Sequence, residues 1–212
     1  MIAINAKRVA VLVSGGGSNL QALIDGIEER QIPAEIVLVA ANKPGVFALE
    51  RAAKHKIPTA VFPPEDFYSP EEFGRALLHL LEKKQVDLVC LAGFTIILAP
   101  VFLQAFPNKI INIHPSLLPA FGGRGMYGIH VHRAVLASGA KYSGATAHIV
   151  TTEIDKGPIV CQDVVPVKDN DTPETLAARV LKTEHRIYPR ALKLMAEEAV
   201  EIDGLRTRIK EY

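Results

Sequence analysis

The fold is determined by residues 8–30, RVAVLVSGGGSNLQALIDGIEER. The run RVAVLV is short, apolar and β-branched, which is typical of a buried strand. It stops at SGGGSN, and the apolar residues that follow recur at helical spacing. The stretch therefore predicts a strand, a glycine-rich turn and a helix, in that order.

The same unit recurs through the first half of the chain. Amphipathic segments at about 46–56 and 70–85, and a shorter one before residue 109, alternate with apolar runs. These runs are AEIVLVAA (34–41), TAVF (59–62), VDLVCLAG (86–93) and KIINIH (109–114). Strands that are apolar throughout and alternate with helices predict an α/β fold, a mostly parallel twisted sheet with helices on both faces. Ligands of such sheets bind at the carboxyl ends of the strands.

The pattern changes after Pro115. A long Gly- and Pro-rich loop, PSLLPAFGGRGMYG (115–128), has no periodicity, which is typical of a functional loop. A helix at about 130–138 and two β-rich runs, GATAHIVT and IVCQDVVPV, follow it. We expect these runs to form an antiparallel elaboration of the sheet.

The last part of the chain is predicted to be helical over 172–198, with a break near Pro189 because proline lacks the N–H that a helix interior needs. A short segment at 200–208 ends the chain. Since no repeat, low-complexity tract or linker separates the halves, we expect a single domain over 1–212.

Composition excludes several classes of partner. The chain has 212 residues, with 24 Lys and Arg against 23 Asp and Glu, so its formal charge of +1 provides no field to attract nucleic acid or an anionic membrane. Its apolar runs are far shorter than the roughly 20 residues of a membrane helix. Cys90 and Cys161 lie in predicted strands, and no signal-peptide pattern is present. We expect a soluble, cytoplasmic protein with reduced thiols.

The glycine turn, residues 14–19, is a candidate phosphate site because free backbone N–H groups and the helix dipole point into such a turn. It matches neither a Walker loop nor a GxGxxG dinucleotide turn, since no Gly-Lys-Ser/Thr follows and Leu20 stands where the third glycine would be. The alternative is an ordinary tight turn in which Ser18 or Asn19 caps the helix.

A second candidate site follows the last parallel strand. Asn112 and His114 are two residues apart, so their side chains leave the strand on the same face. An amide donor beside an imidazole can stabilise an oxyanion and transfer a proton. A histidine hydrogen-bonded to backbone carbonyls is the alternative. Asp155 lies in TTEIDKGPIV, either as a turn residue that caps its own backbone or as a carboxylate held against His114, which would favour the protonated imidazole.

Other reactive side chains are assigned to structure. His130, His132 and His148 do not predict a metal site, because residues two apart on a helix do not share a face and no carboxylate stands at ligand spacing. Glu184 and His185 lie on the late helix, where an exposed face is the ordinary expectation. No serine has the setting of an activated nucleophile, and neither cysteine has a basic neighbour, so covalent catalysis is not favoured.

Six motifs together resemble the glycinamide ribonucleotide (phosphoribosylglycinamide) formyltransferases of the folate-dependent formyltransferase family. In order, these are SGGGSNLQ (14–21), LAGF (91–94), NIHPSLLP (112–119), HVHRAVLASG (130–139), GATAHIV (144–150) and EIDKGPIV (153–160). The resemblance covers nearly the whole chain and implies a Rossmann-like formyltransferase fold. NIHPSLLP with a later Asp-x-Gly-Pro is also similar to methionyl-tRNA formyltransferase and formyltetrahydrofolate deformylase, which carry additional domains.

The resemblance also implies roles for particular residues. The catalytic triad falls on Asn112, His114 and Asp155. The residues that bind the substrate and its phosphate fall on Gly17, Ser18, Asn19 and Glu184. The residues that bind folate fall on Thr95, Ile96, Ile97 and Leu98, with Asn112. The loop 148–154 is expected to cover the other side of the pterin.

The reaction that the resemblance implies is transfer of the formyl group of 10-formyltetrahydrofolate to the amine of 5′-phosphoribosylglycinamide in purine (IMP) biosynthesis. The amine attacks directly, without an acyl-enzyme or a metal, and the protein acts as a monomer or homodimer. A deformylase-like hydrolase and a non-catalytic phosphosugar-binding module remain as alternatives.

Two positions depart from the family pattern. Some members carry arginines, which meet the acidic folate tail, where this chain has Pro70 and Ile96. The loop 121–128 is also longer than in compact members, and its Arg124 is the nearest substitute cation. An exposed loop residue is the alternative for Arg124.

Overall fold

Strands and helices alternate along the chain as the apolar pattern predicts. The computed structural model describes residues 6–210, so the ends of the predicted domain, 1–5 and 211–212, lie outside it. The strands are β1 (Lys7–Val13), β2 (Ala34–Ala41), β3 (Thr59–Val61), β4 (Leu88–Ala92), β5 (Ile110–His114), β6 (Tyr142–Ile149), β7 (Ile159–Pro166), β8 (Val200–Asp203) and β9 (Arg206–Ile209). The helices are α1 (Ser18–Glu28), α2 (Phe47–Lys54), α3 (Pro70–Lys83), α4 (Pro100–Ala105), α5 (Ile129–Ala137) and α6 (Pro173–Ala196).

Seven strands form one sheet in the order β3-β2-β1-β4-β5-β6-β7. The first five pair in parallel, whereas β6 pairs antiparallel with both β5 and β7. The predicted fold class, a mostly parallel sheet with an antiparallel elaboration in the second half, is therefore confirmed.

Helices cover both faces of the sheet because its central strands bury side chains on both sides. On β1, Val9, Val11 and Val13 pack with α1, α2, α5 and α6. The alternate residues Ala10 and Leu12 pack with α3 and α4 on the opposite face. This double burial explains why the strands are apolar throughout.

Helix α1 begins directly after a glycine in the left-handed backbone conformation. Gly17 is the N-cap residue, with φ 71°, and no side chain caps the helix. The alternative considered from the sequence, in which Ser18 or Asn19 caps the helix, is wrong because both residues already lie inside the helix. A Cβ on Gly17 would lie 2.6 Å from the Ala48 Cβ atom, so only glycine fits this close approach between the turn and α2.

Helix α6 runs through Pro189 without the predicted break. Buried residues on both sides of the proline, Ile187 and Tyr188 before it and Ala191 and Leu192 after it, belong to the same core. A break would lift one half of the helix off the sheet. Packing therefore outweighs the loss of one helical hydrogen bond.

The segment predicted at 200–208 is the hairpin of β8 and β9, joined to the main sheet by the Thr207 hydroxyl, which donates to the Ile159 carbonyl at 2.6 Å. Cys90 and Cys161 are buried and free, as expected. None of the helices in residues 6–210 has an apolar stretch long enough to cross a membrane.

Gly144→Ala is predicted to lower the free energy of unfolding by about 1–3 kcal/mol, since overpacking at a buried site displaces its neighbours. The new Cβ would lie 2.2 Å from the Asp163 carbonyl oxygen on the paired strand. Urea unfolding measures the loss. Gly16→Ala is the control, since its Cβ meets no atom within 4 Å, and equal stability of the two variants would contradict the packing described.

Candidate functional site

A cleft of about 950 Å³ opens at the carboxyl edge of the sheet. Its walls come from the segments that follow β1, β4 and β5, from the loop between β6 and β7, and from α5 and α6. The Ser14 hydroxyl ties two of these segments together by accepting a hydrogen bond from the Thr95 N–H at 3.0 Å. The cleft therefore lies where the parallel fold predicts a ligand site, and its size suits a small molecule.

His114 ends β5 with its side chain almost fully buried. Its Nε2 lies 2.9 Å from the Phe121 carbonyl oxygen, which can only accept, so Nε2 carries a proton and donates it. Nδ1 is then the nitrogen that can gain or lose a proton. It lies 3.6 Å from Asp155 Oδ2.

Asp155 reaches this imidazole from the turn between β6 and β7. Its backbone is left-handed, with φ 56°, a conformation that aspartate tolerates better than most residues. Oδ2 accepts a hydrogen bond from the Gly123 N–H at 2.9 Å, so the carboxylate caps a distant loop and not its own turn. The structure thus places Asp155 against His114, the second of the two arrangements considered from the sequence.

Asn112 is held by a histidine that the sequence did not single out as catalytic. His148 lies opposite it in the β5–β6 register, and Asn112 Nδ2 is 3.2 Å from His148 Nε2. His148 Nδ1 donates to the Ile149 carbonyl at 2.9 Å, so Nε2 is the acceptor for the amide. Burial lowers the pKa of His148, and the Ile149 carbonyl and Asp155 oppose this effect. The lowered pKa favours the neutral ring.

Two of the four residues predicted to bind the ribonucleotide meet in the cleft. Asn19 Nδ2 donates to Glu184 Oε2 at 2.6 Å, and both side chains are buried. The expectation of an exposed face was therefore wrong for Glu184. Burial raises the pKa of the Glu184 carboxyl, and the bond from Asn19 opposes this effect. Gly17 and Ser18 adjoin Asn19 but do not line the cleft.

The residues predicted to bind folate form one wall of the cleft. They are Thr95, Ile96, Ile97 and Leu98. The residues at 150–155 line it as well. The loop 121–128 contributes Arg124, an exposed residue without an ion pair in the described part of the chain, whereas Pro70 does not line the cleft.

His132 is a further imidazole that lines the cleft. It is 4% exposed, and its Nδ1 has no hydrogen-bond partner among residues 6–210. Burial, and then the charge of nearby His114, lowers its pKa. Within the same residues, no group of three or more ligating side chains is placed to hold a metal ion.

Comparison with known proteins gives consistent matches. The family model described as "Formyl transferase" matches residues 7–192. The chloroplastic phosphoribosylglycinamide formyltransferase of Arabidopsis thaliana is 46% identical over 200 residues, which are 92% of this chain and 67% of that protein. The trifunctional purine biosynthetic protein adenosine-3 of Gallus gallus is 46% identical over 198 residues, 93% of this chain but 19% of that longer protein.

A solved structure of a similar protein superposes closely on this chain. The crystal structure of glycinamide ribonucleotide transformylase 1 from Symbiobacterium toebii superposes with a TM-score of 0.93 at 43% identity. The match covers 98% of this chain and 95% of that one. The similarity therefore includes the elements that surround the cleft.

Glu184→Gln is predicted to stabilise the folded protein at neutral pH. Because folding raises the pKa of Glu184, its contribution to stability is fully present below its ordinary value of 4.5 and is lost as the pH rises through the folded-state value. Glutamine keeps an oxygen for Asn19 and has no proton to lose.

Urea unfolding between pH 5 and pH 8 tests this prediction, with the exposed Glu82→Gln as control. The stability gained by Glu184→Gln should be greatest at pH 8 and shrink towards pH 5. A difference in the free energy of unfolding between Glu184→Gln and wild type that is constant with pH, or that widens as the pH falls, would show that the carboxyl does not titrate as described.

Proposed function

The chain belongs to the formyl transferase family, and on that basis we propose that it transfers the formyl group of 10-formyltetrahydrofolate to the amine of 5′-phosphoribosylglycinamide in purine biosynthesis. The proposal includes a single formyltransferase domain over 1–212, acting in the cytoplasm as a monomer or homodimer. Formyl-folate is a co-substrate, and the chemistry assigned below to side chains requires no metal.

One observation carries the proposal. Asn112, His114 and Asp155 converge in the same cleft that holds the Asn19–Glu184 pair and the wall at 95–98. A binding module would need a polar pair and an apolar wall, but it would not need a buried imidazole whose free nitrogen faces a carboxylate. This arrangement supports catalysis at the junction of two ligand sites.

The first step is attack of the amine nitrogen on the formyl carbon, which forms a C–N bond and places negative charge on the formyl oxygen. Asn112 Nδ2 carries two hydrogens, one of which is engaged by His148. The second is free to donate to this oxyanion, together with a protonated Nδ1 of His114. Such donors typically contribute about 2.7–4 kcal/mol each to transition-state stabilisation.

The second step breaks the bond between the carbon and the folate nitrogen, and a proton moves from the attacking amine to that leaving nitrogen. The protonated His114 Nδ1 gives its proton to the leaving nitrogen as the carbonyl re-forms, and a proton from the attacking amine then restores it, since Nε2 is engaged by Phe121. Asp155, 3.6 Å away, stabilises the positive ring and can order a water in the proton path. The proton balance therefore closes without a covalent enzyme intermediate.

The ribonucleotide would lie at the α1 end of the cleft. Its phosphate would meet the free N–H groups of the turn at 14–19, and its polar ribosyl glycinamide would meet Asn19 and Glu184. The pterin would lie between the wall at 95–98 and the loop at 148–154, where main-chain groups and apolar side chains are exposed to the cleft.

The direct test is consumption of 10-formyltetrahydrofolate in the presence and absence of the ribonucleotide. A transferase consumes the folate only when the ribonucleotide is added. Equal consumption without it would favour the deformylase-like hydrolase, and no consumption in either case would favour the phosphosugar-binding module.

His114→Ala and Asp155→Asn are each predicted to lower kcat by roughly 10²-fold or more, because each removes a group that acts on the transition state. KM for either substrate should change far less. His79→Ala and Asp169→Asn, which alter exposed residues, are the matched controls. A folded His114→Ala or Asp155→Asn protein with wild-type kcat would refute the assigned roles.

Arg124 is proposed to meet the acidic tail of the folate, because it lines the cleft with its guanidinium unpaired in the described part of the chain. Arg124→Ala should weaken binding of a polyglutamylated folate by about 1.4- to fivefold, since an exposed charge pair contributes roughly 0.2–1 kcal/mol. The loss should shrink at high salt. Titration calorimetry with mono- and polyglutamylated folates measures it, and Arg208→Ala on β9 is the control.

An unchanged preference for the longer tail in Arg124→Ala would leave this arginine as an ordinary loop residue. A loss that is the same for both folates would also contradict the assignment, since the monoglutamate lacks the added carboxylates.

A further inference from the structure

Helix α2 holds the glycine turn through two carbonyl groups. The Ala48 N–H donates to the Gly15 carbonyl at 3.1 Å, and Arg51 Nε donates to the Gly16 carbonyl at 2.9 Å. In a planar trans peptide the C=O and the following N–H point in opposite directions. With both carbonyls turned towards α2, the N–H groups of Gly16 and Gly17 point away from it.

The two sides of the turn differ in the space around them. On the α2 side, a Cβ on Gly17 would collide with Ala48 and would lie 3.5 Å from Arg51 Cδ. By contrast, a Cβ on Gly15 or Gly16 would meet no atom within 4 Å. The turn is thus packed against α2 on one side and open on the other.

A second observation independently indicates a polar ligand at this place. Asn19, in the first turn of α1, is 8% exposed and lines the cleft, and its Oδ1 has no hydrogen-bond partner among residues 6–210. A buried amide oxygen without a partner is unfavourable unless a ligand or water satisfies it. Because the turn leads directly into α1, its open side and this oxygen lie at the same end of that helix.

Arg51 is itself held in place. Its Nη1 donates to Gln21 Oε1 at 3.1 Å, and its guanidinium carbon lies 4.7 Å from the centre of the Phe47 ring. These contacts fix the plane of the guanidinium, so the Nε–H is directed at the Gly16 carbonyl. The side chain thus links α1 and α2 and fixes the orientation of one peptide of the turn.

We propose that Arg51 is a positioning residue for the substrate phosphate, which it serves by turning the Gly16–Gly17 peptide so that its N–H faces the anion. The inference rests on the proposed function for the identity of the phosphorylated substrate. Arg51 acts through the backbone and not by its charge, because Nε donates to the Gly16 carbonyl and Nη1 to the Gln21 amide oxygen, so these two donors hold the turn and α1. Loss of the side chain frees the peptide to rotate and weakens binding of the phosphate without altering the chemistry at His114.

Arg51→Met tests the proposal, since methionine keeps an unbranched chain against Gly17 and loses both donors. We expect KM for the ribonucleotide to rise about tenfold, with kcat and KM for the folate within about twofold of wild type. The unphosphorylated glycinamide riboside should bind equally to both proteins. Arg208→Met, which removes an exposed charge on β9, is the matched control and should leave every value unchanged.

The salt dependence of KM distinguishes a positioning role of Arg51 from a direct effect of its charge. An exposed charge effect is largely screened at 0.5 M salt, whereas a misoriented peptide is not, so the ratio of the KM values of Arg51→Met and wild type should persist there. A ratio that falls to one at high salt would overturn the proposal. So would an unchanged KM, or an equal loss for the riboside together with a lowered Tm, which would indicate a purely structural role.

Calorimetry with inorganic phosphate keeps the inference separate from the proposed function. Phosphate should bind wild type more tightly than Arg51→Met, whether or not formyl transfer occurs. If wild type binds phosphate but does not formylate the ribonucleotide, the proposed function fails and the positioning role stands. If the two proteins bind phosphate equally, the positioning role fails even when transfer is observed.

Discussion

The carboxyl ends of β1, β4 and β5 lie side by side, and every part of the site depends on this arrangement. The strand order places β4 between β1 and β5, so the segments that follow these strands must meet at one edge of the sheet. The hydrogen bond from Thr95 to Ser14 shows how closely two of them approach. Asn19 at the start of α1, an apolar wall and an amide–imidazole pair thereby share one cleft without any long excursion of the chain.

The antiparallel part of the sheet adds two residues that the parallel strands do not supply, His148 and Asp155. Strand β6 returns along β5 and brings His148 opposite Asn112, and the turn after it carries Asp155 to within 3.7 Å of His148 Nε2 and 3.6 Å of His114 Nδ1. The two imidazoles have different surroundings. Burial keeps His148 neutral, so it can orient an amide, whereas His114 has a free nitrogen beside a carboxylate. One carboxylate thus lies beside an imidazole that orients Asn112 and an imidazole to which we assign the proton transfer.

The features that follow from local pattern could be predicted from the sequence. Strands buried on both faces, such as β1, are apolar throughout, and their alternation with helices predicted the fold. The spacing of Asn112 and His114 predicted that their side chains lie on the same face of β5. Features set by distant contacts could not be predicted. His148 becomes part of the site because the pairing of β5 with β6 places it opposite Asn112, 36 residues away in sequence, and Glu184 is buried because α6 packs on α1. The break expected at Pro189 is absent for the same kind of reason, since the core holds both halves of the helix.

In the proposed reaction, the formyl group passes directly between two ligands bound in one cleft. A single-turnover experiment with 10-formyltetrahydrofolate labelled in the formyl carbon, quenched in acid at successive times, tests it most directly. We expect the label to appear only in the amide of the ribonucleotide product, at a rate that requires both ligands, with none attached to the protein. Label released as formate without the ribonucleotide, or label bound to the protein before product forms, would contradict the account.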